Sequence, residues 1–265
     1  VKNTGWEVAV AYNNAIGEFK YNVNFNISDV RNRILKYGEA SVSGWTITRE
    51  GESMNSLYGY VTEGLFQSDD EVTGHAFQNT GTGAGDIRYK NMNKDDILHA
   101  QATVVMGTTI PRYTYGLTIG GKFKGWDATL FFNGVGKCYG YQEGALIEGP
   151  IWDGFTTKEM LDRWTPDHRN AAWPRLVYQT IHNEQPSDWW IQNTSYFRFK
   201  NFQLGYTFPQ QWLNVLRIKD FRVYASGENV FMVTKARNLD PEFTSGRANF
   251  YPQTKIYAAG IDVTF

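Results

Sequence analysis

Seven segments of this chain alternate apolar and polar residues with a period of two, and the connections between them alternate between short and very long. A period of two puts successive side chains on opposite faces of a strand. Residues 6–13 set Trp6, Val8, Val10 and Tyr12 against Glu7, Ala9, Ala11 and Asn13. Residues 19–28 set Phe19, Tyr21, Val23, Phe25 and Ile27 against Lys20, Asn22, Asn24, Asn26 and Ser28. The same alternation runs through 112–123, from Trp126 onward, through 221–228 and through 254–265. In 196–208 the phase slips: Phe197 and Phe199 share one parity, Phe202, Leu204, Tyr206 and Phe208 the other. One inserted residue flips the facing of everything after it, so a β-bulge is expected near Lys200-Asn201.

The short connections are Asn14 to Gly17, Lys124-Gly125 and Pro209 to Asp220; the long ones are 29–111, 137–194 and 233–253. In an up-and-down sheet this order sends every long connection to one end. Loops above ~15 residues are uncommon in compact domains unless they serve function. Long loops at one end and short turns at the other is the asymmetry of outer-membrane barrels. Each segment also approaches the ~9–11 residues that a tilted strand needs to cross a bilayer. Aromatics border several apolar faces: Trp6 and Tyr12, Tyr113 and Phe123, Tyr257 and Phe265. The last segment, with Tyr257, Ala259, Ile261, Val263 and a terminal Phe265 on one face, resembles the strand that such barrels present to their assembly machinery. Alternation alone also fits a soluble sandwich, whose apolar face lies against a second sheet. The fold expected is all-β, a transmembrane antiparallel barrel segment with long extracellular loops. Bacterial barrels have an even strand count, and the chain enters a strand directly from Val1. A piece of a larger barrel therefore fits better than a small self-contained outer-membrane protein.

Charge and chemistry narrow the function classes. Lys and Arg number 26 against 27 Asp and Glu, without the basic excess of a nucleic-acid binder. The single cysteine, Cys138, excludes an intrachain disulfide framework. His75, His99, His168 and His182 are well separated, lacking the close pairing of zinc enzymes. The cluster Gly81-Thr-Gly-Ala-Gly-Asp86 has no phosphate-loop lysine and reads as a flexible loop. Asp69-Asp70-Glu71 and Asp95-Asp96 read as solvated turns. With no catalytic constellation, the expectation is a protein that is not an enzyme and uses no cofactor or metal.

Several strings carry a resemblance. Asn55 to Gln67 (NSLYGYVTEGLFQ), Gly85 to Lys90 (GDIRYK), Pro111 to Gly116 (PRYTYG) and Phe131 to Lys137 (FFNGVGK) are four of them. Arg163 to Pro166 (RWTP), Trp173 to Leu176 (WPRL), Ser195 to Tyr206 (SYFRFKNFQLGY), Ser226 to Phe231 (SGENVF) and Leu239 to Glu242 (LDPE) complete the set. In this order they resemble hallmark segments of the SusC/RagA family of TonB-dependent outer-membrane transporters. The resemblance implies a barrel of about 22 strands, of which residues 1–265 would be the carboxy-terminal portion, about seven or eight strands. The plug domain and earlier strands would lie outside this chain. It further implies outer-membrane import with a SusD-like surface lipoprotein, driven by the TonB complex through the plug. The expected cargo is a glycan, with peptide as the main competitor.

One departure concerns an acidic stretch of the family that suggests a calcium loop. Here it reads Asn91-Met-Asn-Lys-Asp-Asp96, with Asp where glycine should turn and Ala102 where a bidentate Glu should follow. A solvated turn is expected. Six tryptophans, Trp45, Trp152, Trp164, Trp173, Trp189 and Trp190, fall in the long connections. Each could pack these connections together or offer an indole to cargo. Trp152, Trp189 and Trp190 are the candidates for substrate or lid contact, and Tyr257, Ile261, Val263 and Phe265 for barrel assembly. A soluble carbohydrate-binding β-sandwich is the alternative from another class.

Overall fold

The computed structural model describes residues 1–144, 156–178, 182–214, 217–237, 240–243, 245–246, 251 and 253–265. Its main feature is a 7-stranded antiparallel sheet in which sequence neighbours are spatial neighbours. The strands are β1 (Lys2–Ile16), β2 (Phe19–Arg33), β3 (Tyr113–Phe123), β4 (Trp126–Gly136), β5 (Tyr196–Thr207), β6 (Asp220–Thr234) and β7 (Ile256–Thr264). All seven alternating segments are strands. β1 and β7 are the free edges, so the sheet is an open piece of barrel wall.

Several strands run further than the alternation. β1, β2 and β6 each have 15 residues, and pairing continues as far as Lys2↔Arg33. The apolar pattern stops where neither face needs to be apolar, while the backbone ladder continues. The two-residue turns obey local stereochemistry. Lys124 and Gly125 both take positive φ (45 and 86°), the type I′ geometry that matches strand twist in a tight hairpin. The bulge lies where the phase slip placed it, with register shifts at Phe199/Asn201 against β6 and at Phe131/Phe132 against β4. It brings Phe199 and Phe202 to the same face, ring centroids 6.0 Å apart.

One face of the wall is apolar and open: Val10, Tyr12, Ile119, Leu204 and Ile261 are all exposed. At its short-turn end the aromatics make a belt across the strands. Tyr12 meets Tyr21 at 6.0 Å, Phe19 meets Phe123 at 6.4 Å, Trp126 meets Tyr206 at 4.9 Å and Phe208 meets Phe221 at 5.0 Å. Aromatic rings concentrate at bilayer–water boundaries because they are apolar in body and polar at the tip.

The long connections are not loose. Pieces of them form a 4-stranded, a 3-stranded and a 2-stranded sheet. The 3-stranded one joins Tyr139–Gln142 to Ile191–Asn193 and to Ser245–Gly246, so it draws on two different connections. The largest fully buried side chains, Tyr89, Phe66, Leu57, Ile87 and Met160, all lie in this outer layer. The layer, rather than the wall, holds the hydrophobic core. Two readings of short stretches are corrected here. Asp69–Thr73 is a helix, α1, capped by Ser68, whose side chain accepts from the Glu71 amide, while Glu71 accepts from the Gln67 amide at 2.8 Å. This is a side-chain-capped helix start rather than a plain turn. The 81–86 cluster is a packed turn rather than a flexible loop, because Asp86 beneath it is buried and fully engaged.

Candidate functional site

The second face of the wall is polar. Asn22, Asn24 and Asn26 stand in a row on β2, and Asn22 and Asn26 are paired with Gly120 and Gly116 of β3. A Cβ on Gly120 would meet Asn22 Oδ1 at 2.2 Å, so the missing side chain makes room for the carboxamide. Towards the short-turn end Arg222 forks between two acids. It meets Asp127 at 2.7 Å and Asp262 at 3.4 Å, linking β4 and β7 through β6. The fork crosses β5 at Gly205, where a Cβ would meet the Arg222 guanidinium at 2.3 Å. The face therefore offers hydrogen-bonding groups of both kinds and balanced charge, as a lumen filled by another polar domain requires.

Charged pairs fasten the outer layer to the rim. Arg112 Nε and Nη2 donate to the two oxygens of Asp29 at 2.8 and 3.1 Å, where the first long connection leaves and rejoins the wall. Arg198 of β5, 2% exposed, donates to both oxygens of Asp240 at 2.7 Å. That charge-assisted pair, both bonds given by Nη2, holds the third connection against the wall's polar side.

The tightest polar arrangement is a knot on Asp86, whose side chain is 1% exposed. Arg175 donates to its two oxygens from Nε and Nη2, each at 2.8 Å. Asn183 Nδ2 donates at 2.9 Å and the Gly83 amide at 2.8 Å. Asn183 Oδ1 accepts from the Ile87 amide at 2.9 Å. Bonding to Asp86 pushes the Arg175 guanidinium above its ordinary range. Gly85 takes φ +89 under the Trp164 ring, where a Cβ would meet ring atoms at 2.4 Å. The knot joins the first long connection to the second.

Tryptophans surround it. Trp45, Trp164, Trp173 and Trp190 are buried, and Trp173 and Trp190 meet at 5.3 Å. Trp190 Nε1 donates to the Asn183 carbonyl at 2.6 Å. Trp189 is half-buried against the same cluster, and Trp152 lies outside the described residues. Tyr257, Ile261 and Phe265 are exposed on the apolar side of edge strand β7, and Val263 is 37% exposed. Asp86, Arg175 and Asn183 were not singled out from the sequence, although Asp86 sits in GDIRYK and Arg175 in WPRL. Within the 91–96 turn, Asn91 Nδ2 donates to the Asp95 carbonyl at 2.6 Å. Among the described residues no group of three His, Cys, Asp or Glu is placed to hold a metal ion. Cys138 is buried, its thiol pushed up by that burial.

His182 gives the layer a pH response. Burial holds its imidazole below the ordinary value, opposed by the pull of Asp86 and reinforced by Arg175. Gln78 Nε2 and Thr82 Oγ1 face its Nε2 at 3.3 and 3.4 Å, and the Tyr89 ring lies 6.0 Å away. As pH falls the unfolded layer takes up the proton first. The stability from neutral His182 is therefore complete above about pH 6.5 and is lost as pH drops through the lower folded value. Amide exchange across 182–190 is expected to accelerate as pH falls below about 6.5, after correction for intrinsic rates, and His182→Gln to remove the extra acceleration.

A meander with one apolar, aromatic-belted face, one polar face and a structured layer at the long-connection end is the wall of an outer-membrane β-barrel. Comparison with known proteins makes this more specific. No protein-family profile matches the chain. The chain is homologous over its full length to TonB-dependent receptors. TonB-dependent receptor P3 of Formosa agariphila is 24% identical over 293 residues, covering 100% of this chain and 29% of that receptor. Receptor P26 of the same organism is 25% identical over 292 residues, with 100% and 29% covered. TonB-dependent receptor SusC of Bacteroides thetaiotaomicron is 38% identical over 81 residues, which cover 30% of this chain and 8% of that protein. The fold matches a solved structure of the RagAB peptide transporter with a TM-score of 0.78 and 21% identity, over 99% of this chain and 29% of that one. The chain thus spans less than a third of the length of these relatives.

Proposed function

We propose that residues 1–265 form the carboxy-terminal part of a TonB-dependent importer, with the plug domain and the earlier strands outside this chain. The complete protein sits in the outer membrane with its long connections facing outward. There it takes up a nutrient, an oligosaccharide first among the candidates, together with a SusD-like surface lipoprotein. Work is done by gating rather than by making or breaking bonds: TonB pulls on the plug, and the polar wall face exchanges its hydrogen bonds with plug and cargo. The observation that carries this reading is a polar, charge-balanced inner face on an apolar-backed wall, in a chain homologous throughout to TonB-dependent receptors. Trp189, half-buried at the margin of the outer core, is the foremost candidate to touch cargo or lid, with Trp190 and Trp152 as the other two candidates. The apolar edge of β7, with Tyr257, Ile261, Val263 and Phe265, is the surface for barrel assembly.

Peptide is the second reading, favoured by the likeness to the RagAB peptide transporter. The test is uptake by cells carrying the full-length receptor and its lipoprotein, offered labelled neutral oligosaccharides or a labelled peptide mixture, with and without TonB. TonB-dependent accumulation of an oligosaccharide is expected. TonB-dependent accumulation of peptides alone would replace the cargo, and uptake that ignores TonB would overturn the mechanism.

A further inference from the structure

A cavity of about 790 Å³ opens in the outer layer between the 72–82 segment and the 91–96 turn. That volume lies within the ~300–1,000 Å³ range of small-ligand sites. Its two sides are tied by backbone. The Phe77 amide donates to the Asp96 carbonyl at 2.8 Å, and the Leu98 amide donates to the Phe77 carbonyl at 2.9 Å. The Phe77 side chain is 51% exposed at the cavity, an uncovered aromatic among polar neighbours. Asn79 and Thr80 bring a carboxamide and a hydroxyl to the lining.

We propose that this cavity is a surface subsite for a neutral oligosaccharide, with a pyranose ring lying on Phe77. The C–H face of such a ring carries partial positive charge and lies flat against the negative face of an aromatic ring. Closely spaced sugar hydroxyls both donate and accept, which suits carboxamides and threonine hydroxyls. Charge selects the class further. The lining carries Asp95 and Asp96 against Lys94, so sulfated or uronic sugars are repelled. A peptide added as a strand needs free main-chain partners, and here the Phe77 amide and carbonyl are already used. The role of the subsite, holding cargo beside the lumen, rests on the import reading; its ligand chemistry does not.

The test is direct binding to the full-length receptor with its lipoprotein in detergent. The probes are neutral hexasaccharides (cello-, laminari-, manno- and xylohexaose), an oligogalacturonate of equal length and a tryptic peptide mixture. At least one neutral hexasaccharide is expected to bind, and Phe77→Ala to weaken it on the order of tenfold. Asn79→Ala, at an exposed carboxamide of the lining, is expected to weaken it as well, with gel mobility of unboiled protein unchanged in both variants. Binding of no neutral sugar, binding indifferent to both substitutions, or Phe77-dependent binding of peptide or oligogalacturonate instead would overturn the proposal. Phe77-dependent sugar binding without TonB-dependent uptake would uphold the subsite and remove the import reading alone. Uptake with sugar binding unaffected by Phe77→Ala would do the reverse.

Discussion

Arg175→Ala is expected to destabilise the outer layer by about 3 kcal/mol. The substitution leaves Asp86, whose side chain is 1% exposed, with donors from Asn183 and Gly83 but without its countercharge. Breaking a buried ion pair by removing one partner costs about 3–5 kcal/mol, because the remaining charge stays desolvated. The lower end applies because the Arg175 side chain is itself 31% exposed and partly screened. The loss should appear locally, since the wall's ladders do not pass through the knot. Limited proteolysis of the full-length receptor is therefore expected to cut within the first and second long connections while the strands stay protected. Arg175→Lys restores charge but not the two-pronged donor and should recover part of the effect. Unchanged proteolysis in Arg175→Ala would show that Asp86 is not what joins these connections.

The second large effect separates the two faces of the wall at adjacent residues. Ile119 lies on the apolar face near the middle of β3, and Thr118 lies on the polar face beside it. Ile119→Arg places a guanidinium against hydrocarbon, which costs about 2–4 kcal/mol near the bilayer midplane. Thr118→Arg adds a charge to a face that already carries Lys122, Asp127 and Arg222, and should fold with little penalty. Reversible unfolding of the full-length barrel from lipid vesicles would measure both. A larger cost at Thr118 would mean that the faces are assigned the wrong way round, and equal costs that only one kind of environment meets the wall.

Much of the wall could be read from residue order alone, because burial against lipid imposes a period of two that no other force erases. The bulge at Phe199/Asn201 was legible for the same reason: Phe197 and Phe199 fall out of phase with Phe202 and Leu204, and an extra residue is the local remedy. Strand ends were less legible. Beyond the apolar pattern Arg31 and Arg33 keep pairing with Thr4 and Lys2 of β1, where that face is no longer apolar. The outer layer was hardest, since strands as short as Thr46–Thr48 and Ile87–Tyr89 are too brief to show any period. The knot joins Asp86 to Arg175 and Asn183, partners 89 and 97 positions apart. Nothing local distinguishes Asp86 from the solvated acids nearby; its environment is made by the fold. The tryptophans show the same limit, because their location in long connections is compatible with both packing and exposure. Trp45, Trp164, Trp173 and Trp190 are buried by packing that no local pattern announces.

The central claim is that these strands wall a membrane barrel completed by strands outside this chain. It is tested most directly by the gel mobility of the full-length protein, extracted from outer membranes with detergent and run boiled and unboiled. The account predicts that the protein leaves the membrane only with detergent and migrates differently before and after boiling, as a closed barrel that resists the gel detergent does. Release into aqueous buffer without detergent, together with identical mobility before and after heating, would contradict it and favour a soluble β-sandwich.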